Sequence, residues 1–164
     1  MNDAHFHLLV NHLPIIFPIV GILTLACGLI FKAEALKRMA YLIFFLGALS
    51  CIFAMNSGEG AEELIEGLGR GTESYIEQHE ETAELFSILS YALGALSLLG
   101  LWASFKASSF AKQLSYVVLA ASLVVIYFAK ETGTTGGEIS HTEIRSGSAL
   151  PAQSDGEEKE ADDD

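Results

Sequence analysis

The chain has 164 residues, 51% of them hydrophobic, and a formal net charge of -12. Only 9 Lys and Arg stand against 21 Asp and Glu, which excludes a basic interface, so no nucleic acid is expected as a partner. A mean hydropathy of +0.39 in so acidic a chain places apolar and charged residues in different segments.

Four uncharged apolar stretches cover residues 13–31, 39–55, 85–105 and 114–128. A hydrocarbon core about 30 Å thick needs about 20 such residues as helix, so each stretch is expected to span a bilayer. Connections as short as Lys32–Arg38 and Lys106–Lys112 force neighbouring spans to run antiparallel. The predicted fold is all-α, an integral membrane four-helix bundle over residues 1–145. No other segment is long enough to form a separate domain.

The entrance to the first span reads His7-Leu-Leu-Val-Asn-His12-Leu-Pro14, with Pro18 one turn later. Pro14 marks the first helical turn, and Pro18 either kinks the span or is tolerated by a neighbour. The start MNDAHFH lacks a basic n-region, so the first span is expected to stay as a permanent helix. Gly21 and Gly28, seven apart, offer one face to a close partner helix. Cys27 and Cys51 lie in different spans at depths about 15 Å apart, too far for a disulfide, and read as packing residues.

The segment 56–84 is expected to be an outer loop, with nine acids against Arg70 alone. Within it Ala61, Leu64, Ile65 and Leu68 follow the spacing of an amphipathic helix lying flat in the interface. Gly67, Gly69 and Gly71 would end that helix. Ser74-Tyr-Ile-Glu77 reads as a capping box opening the next one, which carries His79 on one face with Ala83, Phe86 and Ser90. Ser90, Gly94, Ser97, Gly100 and Ser104 form a small-residue face that suits helix packing. After the fourth span Gly136 and Gly137 would allow a tight turn that folds His141 back over the bundle mouth. Residues 146–164 are small, polar and acidic, and are expected to be a disordered tail.

Lys32, Lys37, Arg38, Lys106 and Lys112 all fall in the two short hairpins. The positive-inside rule assigns those hairpins to the cytoplasm of a bacterial inner membrane. Both termini, the 56–84 loop and the acidic tail then face the periplasm. His7, His12, His79 and His141 gather at that outer end, with Glu63, Glu80 and Glu138 as supporting carboxylates. Neutral imidazole is a common ligand for haem iron and for divalent metals, so these four residues are the candidate cofactor site. Glu138-x-x-His141 has the spacing of carboxylate-bridged metal bundles, but the second motif such bundles need is absent. His5 has no structural signal near it.

Four of these patterns also carry a family resemblance. They are His7-x4-His12-x-Pro14, the run Ser57-Gly-Glu-Gly-Ala-Glu-Glu63, His79-Glu-Glu81, and Gly136-Gly-x-x-x-His141. Together they resemble the bacterial membrane family catalogued as domain of unknown function 2231, over roughly residues 7–145. Relatives have this module joined to electron-transfer domains, so the resemblance implies a redox setting. This chain departs from that pattern: it has no CxxCH motif, no second domain, and Asn11-His12-Leu13 where relatives often read His-Phe.

The sequence therefore points to a small membrane protein holding b-type haem or a divalent metal at its outer face, in an electron-transfer setting. His7 or His12 would pair with His79 or His141. Two alternatives stand beside it: a redox-inactive metal-binding protein, and a structural or assembly subunit with incidental histidines. Membrane lipid, a membrane or periplasmic redox partner and a second copy of the chain are the partners such readings admit. An independent enzyme is not expected, since no nucleophile elbow, phosphate-binding glycine loop or HExxH motif is present.

Overall fold

A computed structural model of the protein describes residues 2–66 and 72–145, and all regular structure in them is helical. A short helix α1 (Asp3–Val10) precedes α2 (Leu13–Ile30), α3 (Glu34–Glu66), α4 (Glu73–Phe105) and α5 (Ala111–Ser140). A 3-10 turn over Thr142–Ile144 follows. With α1 and α2 taken together, four helices are long and apolar enough to cross a membrane, as the four uncharged stretches predict. Each long helix packs on the next, α2 meets α5 to close the ring, and α1 lies on α3.

The small-residue faces work as their spacing predicts. Ser90, Gly94, Ser97, Gly100 and Ser104 are all buried on α4. A Cβ at Gly94 would stand 2.6 Å from Ala48 Cβ, so α3 and α4 meet there almost backbone to backbone. Gly21 lies against the ring of Phe44 and Gly28 against Lys37, both on α3. Pro18 is buried within an unbroken α2. The core holds Leu25, Tyr41, Phe44, Leu93, Val118 and Val125, and the Tyr41 hydroxyl meets Ser115 Oγ at 2.8 Å. Cys51 is buried in that core and Cys27 is exposed, and both are free thiols.

Both short hairpins close in the same way. Ala33 N–H donates to Gly28 and Lys32 N–H to Leu29, while Ser108 N–H donates to Ala103 and Ala107 N–H to Ser104. These paired bonds are Schellman motifs. They place Lys32 and Ala107 in the left-handed region, at φ 53° and 48°, where glycine is the usual residue.

The opposite end differs from expectation. At about 1.5 Å per residue, the 33 residues of α4 make a rod of about 50 Å, well beyond a bilayer core. Residues 56–66 are a continuation of α3 rather than loop, whereas 73–84 form the first part of α4, the helix expected to open near Ser74 and carry His79. No separate interfacial helix forms at residue 61. Ala61 is buried on α3, the helix along which α1 also packs. Thr72, not Ser74, takes the capping place of α4: Tyr75 and Ile76 N–H both donate to its carbonyl. The tight turn expected at Gly136 is also absent, since α5 continues to Ser140. Its buried face runs through Val118, Ser122, Val125, Ala129, Thr132 and Thr135, one seam held past the apolar stretch. Residues 67–71 and the acidic tail 146–164 lie outside the described residues.

Candidate imidazole site

Helix α1 exists because Asn2 caps it, its side chain accepting from the His5 N–H. That places half-buried His7 against α3. Its Nδ1 is 3.1 Å from the Ala54 carbonyl and 3.0 Å from Ser57 Oγ. A carbonyl only accepts, so Nδ1 carries the proton and donates. The Ser57 hydroxyl is itself spent on the carbonyls of Phe53 and Ala54. The neutral ring then keeps its lone pair on Nε2.

His79 repeats this arrangement on the other side. Its Nδ1 is 3.1 Å from Thr135 Oγ1 on α5. Thr135 also has carbonyl acceptors within reach at Glu131 and Thr132, and when its hydroxyl donates to one of them its oxygen accepts from the imidazole. Thr82 Oγ1 meets Thr135 Oγ1 at 3.0 Å, and Thr132 Oγ1 donates to the Thr82 carbonyl at 3.1 Å. Three threonines therefore tie α4 to α5 around His79.

Gly136 lets the His79 ring sit this close to α5, whereas the His7 ring leaves ordinary room for a side chain at Gly58. A Cβ at Gly136 would stand 2.9 Å from His79 Cε1, and one at Gly58 would stand 3.7 Å from His7 Cε1. Glycines that read as loop residues in the sequence are thus contact points inside helices. His7 on α1 and His79 on α4 lie at the same end of the ring, within long-range electrostatic reach of one another.

The other candidates fall outside the pair. His12 is exposed at the capping place of α2 and makes no side-chain cap bond, although it is near His7. His141 does not fold back: it caps the end of α5, and its exposed ring meets Glu143 Oε1 at 2.9 Å. The uninterrupted helix through Gly136 and Gly137 carries it past the bundle mouth. Glu63 and Glu80 are exposed and Glu138 is half-buried. Among the described residues no group of three or more His, Cys, Asp or Glu side chains is placed to hold a metal ion. What the arrangement offers is two imidazoles, each oriented by a bond at Nδ1, with Nε2 as the remaining ring nitrogen.

The sequence did not single out Ser57, Thr132 or Thr135 as partners of these rings, nor Arg145. Arg145 Nε donates to the Glu138 carbonyl at 2.7 Å and its Nη2 to that of Ile139 at 3.1 Å. Its guanidinium lies 4.1 Å from the centre of the Tyr75 ring, which clamps the end of α5 to α4. The signal for the threonines was there in Val125, Ala129, Thr132 and Thr135, whose spacing extends the core seam of α5. Compared with known proteins, the chain matches no family model, no curated protein and no solved structure.

Proposed function

We propose that this chain is a multi-pass bacterial inner-membrane protein in which His7 and His79 are the ligands of a haem iron or a metal ion, serving electron transfer. The observation that carries the reading is that two imidazoles from different helices lie at one end of the ring, each held at Nδ1 by a partner helix. Such bonds fix the tautomer and aim Nε2 at a metal. Two donors match the axial ligand count of b-type haem. A closed non-haem site takes about four, and no third protein ligand stands beside the pair among the described residues. Haem, when bound, would supply the one-electron chemistry. The chain's own residues would supply the ligands, their orientation and a helical frame.

The basic hairpins favour placing their end in the cytoplasm and the imidazole end in the periplasm. Membership of the family of domain of unknown function 2231 is part of the same proposal, as is a membrane or periplasmic redox partner.

The test is an absorption spectrum of protein purified in mild detergent from haem-replete cells, oxidised and then reduced with dithionite. A Soret band with sharp reduced α and β bands supports the reading. A featureless spectrum together with no bound transition metal overturns it.

A second reading has its own observation in its favour. The bonds at Nδ1 join α1 to α3 and α4 to α5, so both histidines also act as staples between helices. A purely structural role predicts that replacing both lowers the unfolding temperature and changes no bound cofactor.

A further inference from the structure

The hairpin end holds a second concave feature, remote from the histidines. A cavity of about 380 Å³ opens between the start of α3 and the α4–α5 turn, lined by Glu34, Lys37, Arg38, Ser104, Ser108 and Lys112 among others. Three cations against one carboxylate leave it with an excess of two positive charges. Arg38 is held in place: Nε donates to Ser104 Oγ at 2.9 Å, Nη2 to the Ser104 carbonyl at 3.1 Å, and the guanidinium lies 4.2 Å above the Phe105 ring. A guanidinium has five N–H donors, so others are left for a ligand. Glu34 is occupied by Lys37 and by the Ser104 hydroxyl. Lys112 has no acidic partner among the described residues. Phe110 caps α5 without a side-chain bond, so the positive end of that 30-residue helix opens beside Lys112.

We propose that this cavity binds a phosphate group presented by an anionic phospholipid. A fixed guanidinium, a free ammonium, the hydroxyl of Ser108 and a helix N-terminus are donors of the kind a phosphate monoester or diester takes. Phe31, Trp102, Phe105 and Phe110 are exposed at this same end, the aromatic belt expected at headgroup depth. The lipid source rests on the membrane-spanning reading; the anion site does not, since free phosphate has the same chemistry.

Trp102 is the chain's single tryptophan and reports on this end. In one arm, full-length protein is reconstituted in vesicles containing brominated phosphatidylglycerol or brominated phosphatidylcholine, and quenching of Trp102 is compared. In the other, inorganic phosphate is titrated into detergent-solubilised protein. The expected result is preferential quenching by phosphatidylglycerol, reduced about fivefold in Lys112→Gln and unchanged in Lys130→Gln at the opposite end. Lys112 is exposed, so its replacement leaves folding intact.

Phosphate that binds in detergent and is lost in Lys112→Gln supports the site with free phosphate as its source. Equal quenching by the two lipids without phosphate binding, or a preference that survives Lys112→Gln, overturns the proposal. Absence of quenching by either lipid refutes the membrane reading instead, and the phosphate arm then decides the site.

Discussion

Gly136 carries the ring of His79 on its backbone: a Cβ at that position would stand 2.9 Å from Cε1 of the imidazole. Gly136→Ala therefore forces the ring to move and weakens its bond to Thr135. The expected change in stability is small, because about 1 kcal/mol of gained helix propensity offsets about 1 kcal/mol of lost hydrogen bonding. The imidazole itself reports the damage. Its ¹⁵N resonances should shift while the melting temperature stays nearly constant; unchanged resonances would place Gly136 outside the site.

Most of the framework was legible because membrane-length helices need long uncharged stretches, and small residues at regular spacing need a partner. Gly21, Gly28 and Gly94 all sit where their spacing put them. The polar end was misread for a specific reason. Ser, Thr and Gly signal turns when they are solvated, yet Ser57, Thr132, Thr135 and Gly136 face neighbouring helices, where each is a close contact or a hydrogen bond. The clue was continuity of the buried seam from Val118 to Thr135, which a search for apolar residues alone cuts off near Phe128. His7 and His79 were among the four candidates. That His12 and His141 stay exposed follows from where α2 begins and α5 ends.

Arg145 closes α5 by donating to two of its last carbonyls while stacking on Tyr75. Arg145→Ala removes both roles and should cost about 1–2 kcal/mol locally. Hydrogen exchange of amides 139–144 is expected to accelerate several-fold, with little change in α2 or α3. Arg145→Lys should restore only part of the protection, because a point charge cannot reproduce the fork. Full recovery with lysine would show that charge alone holds the turn.

Ala107 takes a left-handed conformation, at φ 48°, to close the α4–α5 hairpin. A side chain there costs energy that glycine does not. Ala107→Gly should accordingly raise stability, by up to about 1 kcal/mol, read as a higher unfolding midpoint in detergent. A lower midpoint would mean that the methyl group contributes packing that outweighs the strain.

The Glu143 carboxyl is held below the ordinary carboxylate range by its own backbone N–H and then by the His141 ring. A folded value below the unfolded one stabilises the turn over Thr142–Ile144 above the ordinary carboxylate range, and the effect is lost as pH falls through the depressed value. The amide resonances of Thr142–Ile144 should move on acidification with a midpoint under that range, and Glu143→Gln should abolish the transition. A midpoint at or above the ordinary value contradicts the assignment.

The central claim is that His7 and His79, and not His12 or His141, are the ligands. Bound haem or metal per chain, measured in the four single His→Ala variants, tests it most directly. Loss in His7→Ala and His79→Ala with retention in His12→Ala and His141→Ala is the predicted result. Retention in His79→Ala, or loss on replacing His141, would contradict it.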